Sequence, residues 1–162
     1  MSNQVWVCGE VLIDLIPDGV ERKAVVGGGP ANTAKALAKL GIETQFIDGI
    51  STDMYGQMAL KQLHQDGVLL DYVKFSDKPT CLAIVSLNNA GGATYEFLID
   101  GTATFDFTPE WLPNLLEVKP SLLHIGTLVT AIEPAASVLH KWATSVKNVA
   151  PIVFAPNIRP AV

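Results

Sequence analysis

Three consecutive glycines, Gly27-Gly28-Gly29, stand between an extended segment and a helical one, and this junction restricts the fold more than any other feature of the chain. Lys23 to Val26 reads as extended. Pro30 near a first turn, Ala34, Leu37 and Ala38 on one face, and Gly41 as a stop predict a helix directly after it. Glycines at such a junction let the backbone approach a ligand closely and leave the first helical N–H groups free for oxygens. No Gly-Lys-Ser/Thr follows, so this is not a P-loop, and it is not a G-x-G-x-x-G fingerprint. Asn32 adds a donor and an acceptor in the first turn, which suits a hydroxyl-rich ligand better than a phosphate. Tight packing of strand on helix is the alternative explanation, and both stay open at this point.

The same alternation runs along the chain. Val5 to Cys8 reads as a buried strand, and Val11 to Ile16 as another, closed by the turn-like Pro17-Asp18-Gly19. Thr44 to Ile50 reads as one strand. Asp53 predicts a cap for a helix carrying Tyr55, Met58, Ala59, Gln62 and Leu63 and ending at Gly67. Leu122 to Ile125 and Pro151 to Ala155 read as strands flanking a helical stripe of Ala135, Val138, Leu139, Trp142, Ala143 and Val146. Strands alternating with helices predict an α/β fold with a mostly parallel sheet covered on both faces. Cys81 to Leu87 and Thr94 to Ile99 break the rhythm. Joined by Asn88-Asn89-Ala90-Gly91-Gly92, they predict a hairpin that, with residues 11–26, forms a small antiparallel flap beside the main layer.

Composition removes several classes. The 162 residues suit one domain, and 49% hydrophobic with 17% charged residues are enough for a real core. The net charge is −5 and no basic run occurs, so neither nucleic acid nor an anionic membrane is an expected partner. No charged leader with a long apolar stretch is present, which predicts a cytoplasmic protein. Cys8 and Cys81 lack Cys or His neighbours and read as buried reduced thiols. His64 and His140 read as surface residues. His124 reads as a core histidine with a hydrogen bond or as one that faces a pocket. No metal site, serine triad or reactive thiol is assigned.

Asp14 is the second chemical signal. A lone carboxylate within Val11-Leu12-Ile13-Asp14-Leu15-Ile16 is costly to bury unless donors meet it, and sugar hydroxyls are such donors. The other explanation is an exposed face of the flap.

Gly28-Gly29-Pro30-Ala31-Asn32-Thr33-Ala34, followed six residues later by Gly41, resembles the first signature of the ribokinase-like (PfkB) carbohydrate kinases. The strand with Asp14, the Asp53-x-x-Gly56 helix start, the Leu63…Gly67-Val68 helix end and Ala155-Pro156-Asn157-Ile158-Arg159 also resemble that family in order and spacing. The resemblance spans Met1 to Val162 and implies a ribokinase-like three-layer α/β/α architecture, with lid segments at about residues 11–26 and 81–104. It implies that Asp14, the Gly28 and Gly29 backbone and the Asn32 side chain bind sugar hydroxyls. Phe97, or else Tyr95, would wall the sugar, and Arg159 would lie near the sugar or the transferred phosphate. Trp6-Val7-Cys8-Gly9-Glu10 and Pro156-Asn157-Ile158-Arg159 resemble the fructokinase-like members, so a ketohexose of the fructose type is the expected substrate.

The resemblance also implies ATP and Mg²⁺ for a complete enzyme, although none of the residues here is assigned to either. The family's catalytic Asp lies in a Gly-Ala-Gly-Asp motif that this sequence lacks and is expected beyond Val162, with the ATP-binding part. The chain therefore reads as the N-terminal part of one kinase domain, inactive alone. Ala155 stands where the family usually has Asp, and Phe97 to Thr104 lacks the Arg and the Ala-Asp pair common in fructokinases. A sugar-binding or merely structural fragment without catalysis, and a nucleoside kinase of the same fold, are the alternatives. A homodimer through the lid is the macromolecular partner that the resemblance leaves room for.

Overall fold

The structure, a computed structural model, describes residues 3–87 and 92–158. Strand β1 (Val5–Cys8) lies inside a four-stranded parallel sheet, between β4 (Thr44–Ile47) and β9 (Leu122–Gly126), with β10 (Ile152–Ala155) beyond β9. Successive side chains of a strand face opposite ways, and β1 shows the consequence. Trp6 and Cys8 join one apolar cluster with Leu123, Ile125, Ala135, Leu139 and Val146. Val7 joins the other, with Ala31, Ala34, Phe46, Ala59 and Leu63. Helix α3 (Ala135–Val146) thus covers one face of the sheet, while α1 (Gly29–Lys39) and α2 (Met54–Gln65) cover the other. This is the three-layer α/β/α arrangement expected from the alternation. Trp6 is fully buried between Trp142, stacked at 6.1 Å, and Tyr72, edge-on at 5.2 Å.

The helix signals act as expected. The Asp53 side chain accepts the Gly56 N–H at 2.8 Å, which caps α2. Both cysteines are buried and free.

Two local expectations are corrected. Thr44 to Ile50 is not one strand, because β4 ends at Ile47 and β5 (Gly49–Ser51) turns away to pair in parallel with β6 (Lys74–Ser76). Asp48 makes the break. Its buried carboxylate accepts the Val11 N–H and the Gly49 N–H, each at 2.8 Å, so the chain must bend around it. The turn expected at Pro17-Asp18-Gly19 also moves. Strand β2 (Leu12–Asp18) runs through Pro17, opposite Arg22, and the reversal falls after Asp18. Pro17 is tolerated because β2 pairs on its other side only from Ile13 to Leu15, so no partner there needs the missing N–H.

The flap is a four-stranded sheet in the order β3-β2-β7-β8, with β3 (Glu21–Gly27), β7 (Leu82–Leu87) and β8 (Ala93–Leu98). It consists of two antiparallel hairpins, β2–β3 and β7–β8, joined by a parallel pair between β2 and β7. Most of the loop expected at Asn88 to Gly92 lies outside the described residues. Within 81–104 the flap strands end at Leu98. Ala103–Phe105 is a buried 3₁₀ turn, tied to the sheet through the Thr104 hydroxyl, which donates to Asp48 Oδ2 at 3.2 Å.

Candidate functional site

A cavity of about 540 Å³ opens where the flap, the start of α1, the turn after β9 and the segment after β10 meet. Asp14, Gly28, Gly29, Asn32 and Phe97 all line it, as does Tyr95. The sequence named these residues from three separate stretches, and the fold brings them to one cavity. Arg159, also named, lies outside the described residues. His124 does not reach the cavity. It is half-buried, its Nδ1 finds no partner on another residue, and burial holds its pKa below the ordinary value. Among the described residues, His124 is thus neither the hydrogen-bonded core histidine nor the pocket-facing one expected from the sequence. Ala155 is not part of the cavity wall either; it contributes its carbonyl, which accepts the Thr127 N–H at 3.0 Å.

Each glycine of the triplet leaves room for a different neighbour at this wall. A Cβ on Gly27 would stand 2.2 Å from Asp14 Oδ2. One on Gly28 would meet the Glu10 carbonyl at 2.4 Å, and Gly28 also has φ +103°, which side-chain-bearing residues rarely adopt. One on Gly29 would meet the Thr127 methyl at 2.9 Å. The triplet is therefore more than a packing device, because what it admits are the groups of the cavity itself.

Asp14 sits on β2, half-buried, and its carboxylate takes no hydrogen bond among the described residues. Burial raises its pKa. Asn32, in the first turn of α1, is exposed to the cavity, and its side-chain amide is likewise uncommitted among the described residues. Tyr95 and Phe97, two residues apart on β8, share one face of the flap and stack at 6.1 Å with planes 13° apart. An acceptor, an amide and an aromatic wall facing one space make a site suited to a polyhydroxylated ring: hydroxyls to the polar groups, carbon faces to the rings.

Sequence reading missed three residues here. Glu10 is 2% exposed yet lines the cavity, and its Oε1 accepts the Thr127 hydroxyl. Burial raises its pKa, with the Thr127 hydroxyl and nearby backbone N–H groups opposing the rise. Thr127 itself has φ +66°, unusual for a β-branched residue. Asp48 is fully buried. Desolvation holds its pKa well above the carboxylate range, and the Glu10 charge adds to the effect. Gly9 before Glu10 and the apolar run around Asp48 gave no sign of these contacts, whose partners lie far away in the chain.

These buried acids predict how stability depends on pH. The unfolded chain ionises Asp48 and Glu10 near their ordinary values, 3.8 and 4.5, whereas the folded chain keeps their protons to higher pH. Through these two groups the unfolded state binds fewer protons in that window, so they make stability fall as pH rises from about 4.5, while the lowered His124 opposes them up to its ordinary value of 6.5. Asp53 and Asp66 are lowered instead, and their opposite contribution is complete below that window. Urea unfolding from pH 4.5 to 8 should show the decline, and Asp48→Asn should flatten it. A wild-type profile parallel to that of Asp48→Asn would remove the proton assigned to Asp48.

The matching family model is that of the pfkB family carbohydrate kinases, over residues 2–162. The chain belongs to this family. It is 31% identical to a fructokinase of Klebsiella pneumoniae over 98% of its own length and 52% of that protein's. Its fold matches a fructokinase from Xylella fastidiosa with bound ATP (TM-score 0.91, 25% identity), covering 99% of this chain and 51% of that one. A fructokinase from Vibrio cholerae in a fructose, ADP and calcium ion bound form also matches, with a TM-score of 0.84 and 25% identity over 99% and 52%. The chain spans about half the length of the curated relatives it matches. Among the described residues, no helix is long and apolar enough to cross a membrane.

Proposed function

We propose that this protein is a fructokinase-like sugar kinase that transfers the terminal phosphoryl group of ATP to a hydroxyl of a ketohexose. Residues 1–162 would be the N-terminal part of its single domain, holding the sugar without turning it over alone. What carries this reading is the meeting of Asp14, Asn32 and the Gly28-Gly29 backbone on one cavity that Phe97 and Tyr95 also line. Asp14 accepts sugar hydroxyls, Asn32 both accepts and donates, and Phe97 lies against the carbon face of the ring. Together they fix which hydroxyl points out of the pocket, and the flap keeps water away from it. ATP would supply the phosphoryl group, and Mg²⁺ would neutralise charge on its phosphates. Among the described residues, no group of three or more His, Cys, Asp or Glu side chains could hold a metal ion, and we assign no Mg²⁺ ligand to them. The catalytic Asp would come from the part of the family's length that this chain does not span. A cytoplasmic location and a homodimer through the flap belong to the same proposal. The exposed Leu87 and Leu98 of the flap support the dimer.

Calorimetry on this chain with D-fructose and with adenosine, beside an assay for ADP formation from ATP, tests the reading. Heat with fructose alone and no ADP is the expected result. Heat with adenosine but not fructose would make this a nucleoside kinase instead. Binding to neither would reduce the chain to a structural fragment.

A further inference from the structure

Glu10 has a property that packing alone does not explain. It is 2% exposed, its Oε1 accepts the Thr127 hydroxyl, and its Oε2 is buried without a hydrogen bond. An apolar side chain would fill this place without leaving a polar atom unpartnered. Glu10 and its hydrogen-bond partner Thr127 both stand behind the glycine turn of the sugar site. Its own carbonyl fills the space where a Cβ on Gly28 would be, 2.4 Å away, and the methyl of Thr127 fills the corresponding space at Gly29, 2.9 Å away. Thr127 does this from a backbone at φ +66°, where a β-branched residue is strained and must be held by its surroundings. The Thr127 N–H to the Ala155 carbonyl, and the Thr130 hydroxyl to the Thr127 carbonyl, hold its backbone. Among the described residues, Glu10 is what holds its hydroxyl.

We propose that Glu10 is a positioning residue for the sugar-reading turn: by accepting the Thr127 hydroxyl it fixes the rotamer whose methyl backs Gly29, while its carbonyl backs Gly28. The inference rests on the sugar-binding reading above. It assigns Glu10 no contact with the sugar; Glu10 acts through Thr127 and through the two glycines.

The test measures D-fructose affinity of the 162-residue chain by calorimetry, with unfolding in urea and the amide shifts of Gly28 and Gly29 followed by NMR. Glu10→Leu and Thr127→Val should each weaken fructose binding about tenfold, the loss expected for one buried hydrogen bond. The double variant should lose no more than either alone, because both break the same contact. Glu10→Gln, which keeps an acceptor for the hydroxyl, should recover affinity to within about threefold of wild type. The two glycine amide shifts should move in Glu10→Leu and Thr127→Val and stay in place in Leu139→Val, a destabilising change in the core under α3, a distinction that a general loss of stability would not produce. Wild-type affinity in a folded Glu10→Leu, with loss in Asp14→Asn, would end the positioning role and leave the sugar reading standing. No fructose uptake by the wild type would end both. Additive losses in the double variant would also overturn the proposal. If Glu10→Leu does not fold, Thr127→Val decides: a tenfold loss upholds the role, and unchanged affinity ends it.

Discussion

Gly28→Ala should cost about 3 kcal/mol of stability and leave the folded fraction unable to take up fructose. Two effects combine. The backbone at φ +103° is one that a Cβ strongly disfavours, and that Cβ would sit 2.4 Å from the Glu10 carbonyl oxygen, which belongs to the backbone and cannot swing away. Relief requires the β1–β2 junction or the start of α1 to move, and either movement widens the turn that faces the ligand. Gly41→Ala separates the two effects, because Gly41 has φ +80° with nothing near its would-be Cβ. Conformation alone should cost about 1–2 kcal/mol there. Urea unfolding of both variants checks the difference. Equal losses would mean that the carbonyl contact at Gly28 relaxes freely.

Asp14→Asn should weaken fructose binding by about 10- to 100-fold, because hydrogen bonds to a charged group contribute about 1.5–3 kcal/mol. Stability should not fall with it. Burial already disfavours the Asp14 charge, and among the described residues no donor in the protein relies on it. A residue that lowers stability and serves binding marks a functional position rather than a structural one. Calorimetry beside urea unfolding at pH 7 gives both quantities. A variant that unfolds more easily yet binds as before would make Asp14 a structural residue of the flap.

The wall of the cavity was legible where its chemistry is local. Three glycines before a helix, an amide in its first turn and one carboxylate in an apolar strand each announce themselves within a few residues. Gly28, Gly29, Asn32 and Asp14 line the cavity, and Gly27 makes room for the Asp14 carboxylate. What escaped is the support behind that wall. Asp48 sits in an apolar run that reads as continuous strand, and its role depends on the Val11 N–H from another element. Glu10 appeared only as part of an opening shared with fructokinase-like members, with no role until the fold delivers Thr127 to it. The backbone of Thr127 could not be foreseen, since threonine gives no sign of a left-handed conformation. Asn157, at φ +45° on the same cavity, belongs to a type that tolerates it.

The parallel pairing of β2 with β7 also bears on how the molecule assembles. Each hairpin of the flap closes within a short stretch of chain, whereas Ile13 meets Leu82 only after α1, β4 and α2 have found their places between them. Closing so long a loop is entropically slow, so the seam should zip last. The roof over the ligand would then be the final piece to lock, and its amides the first to exchange with deuterated solvent.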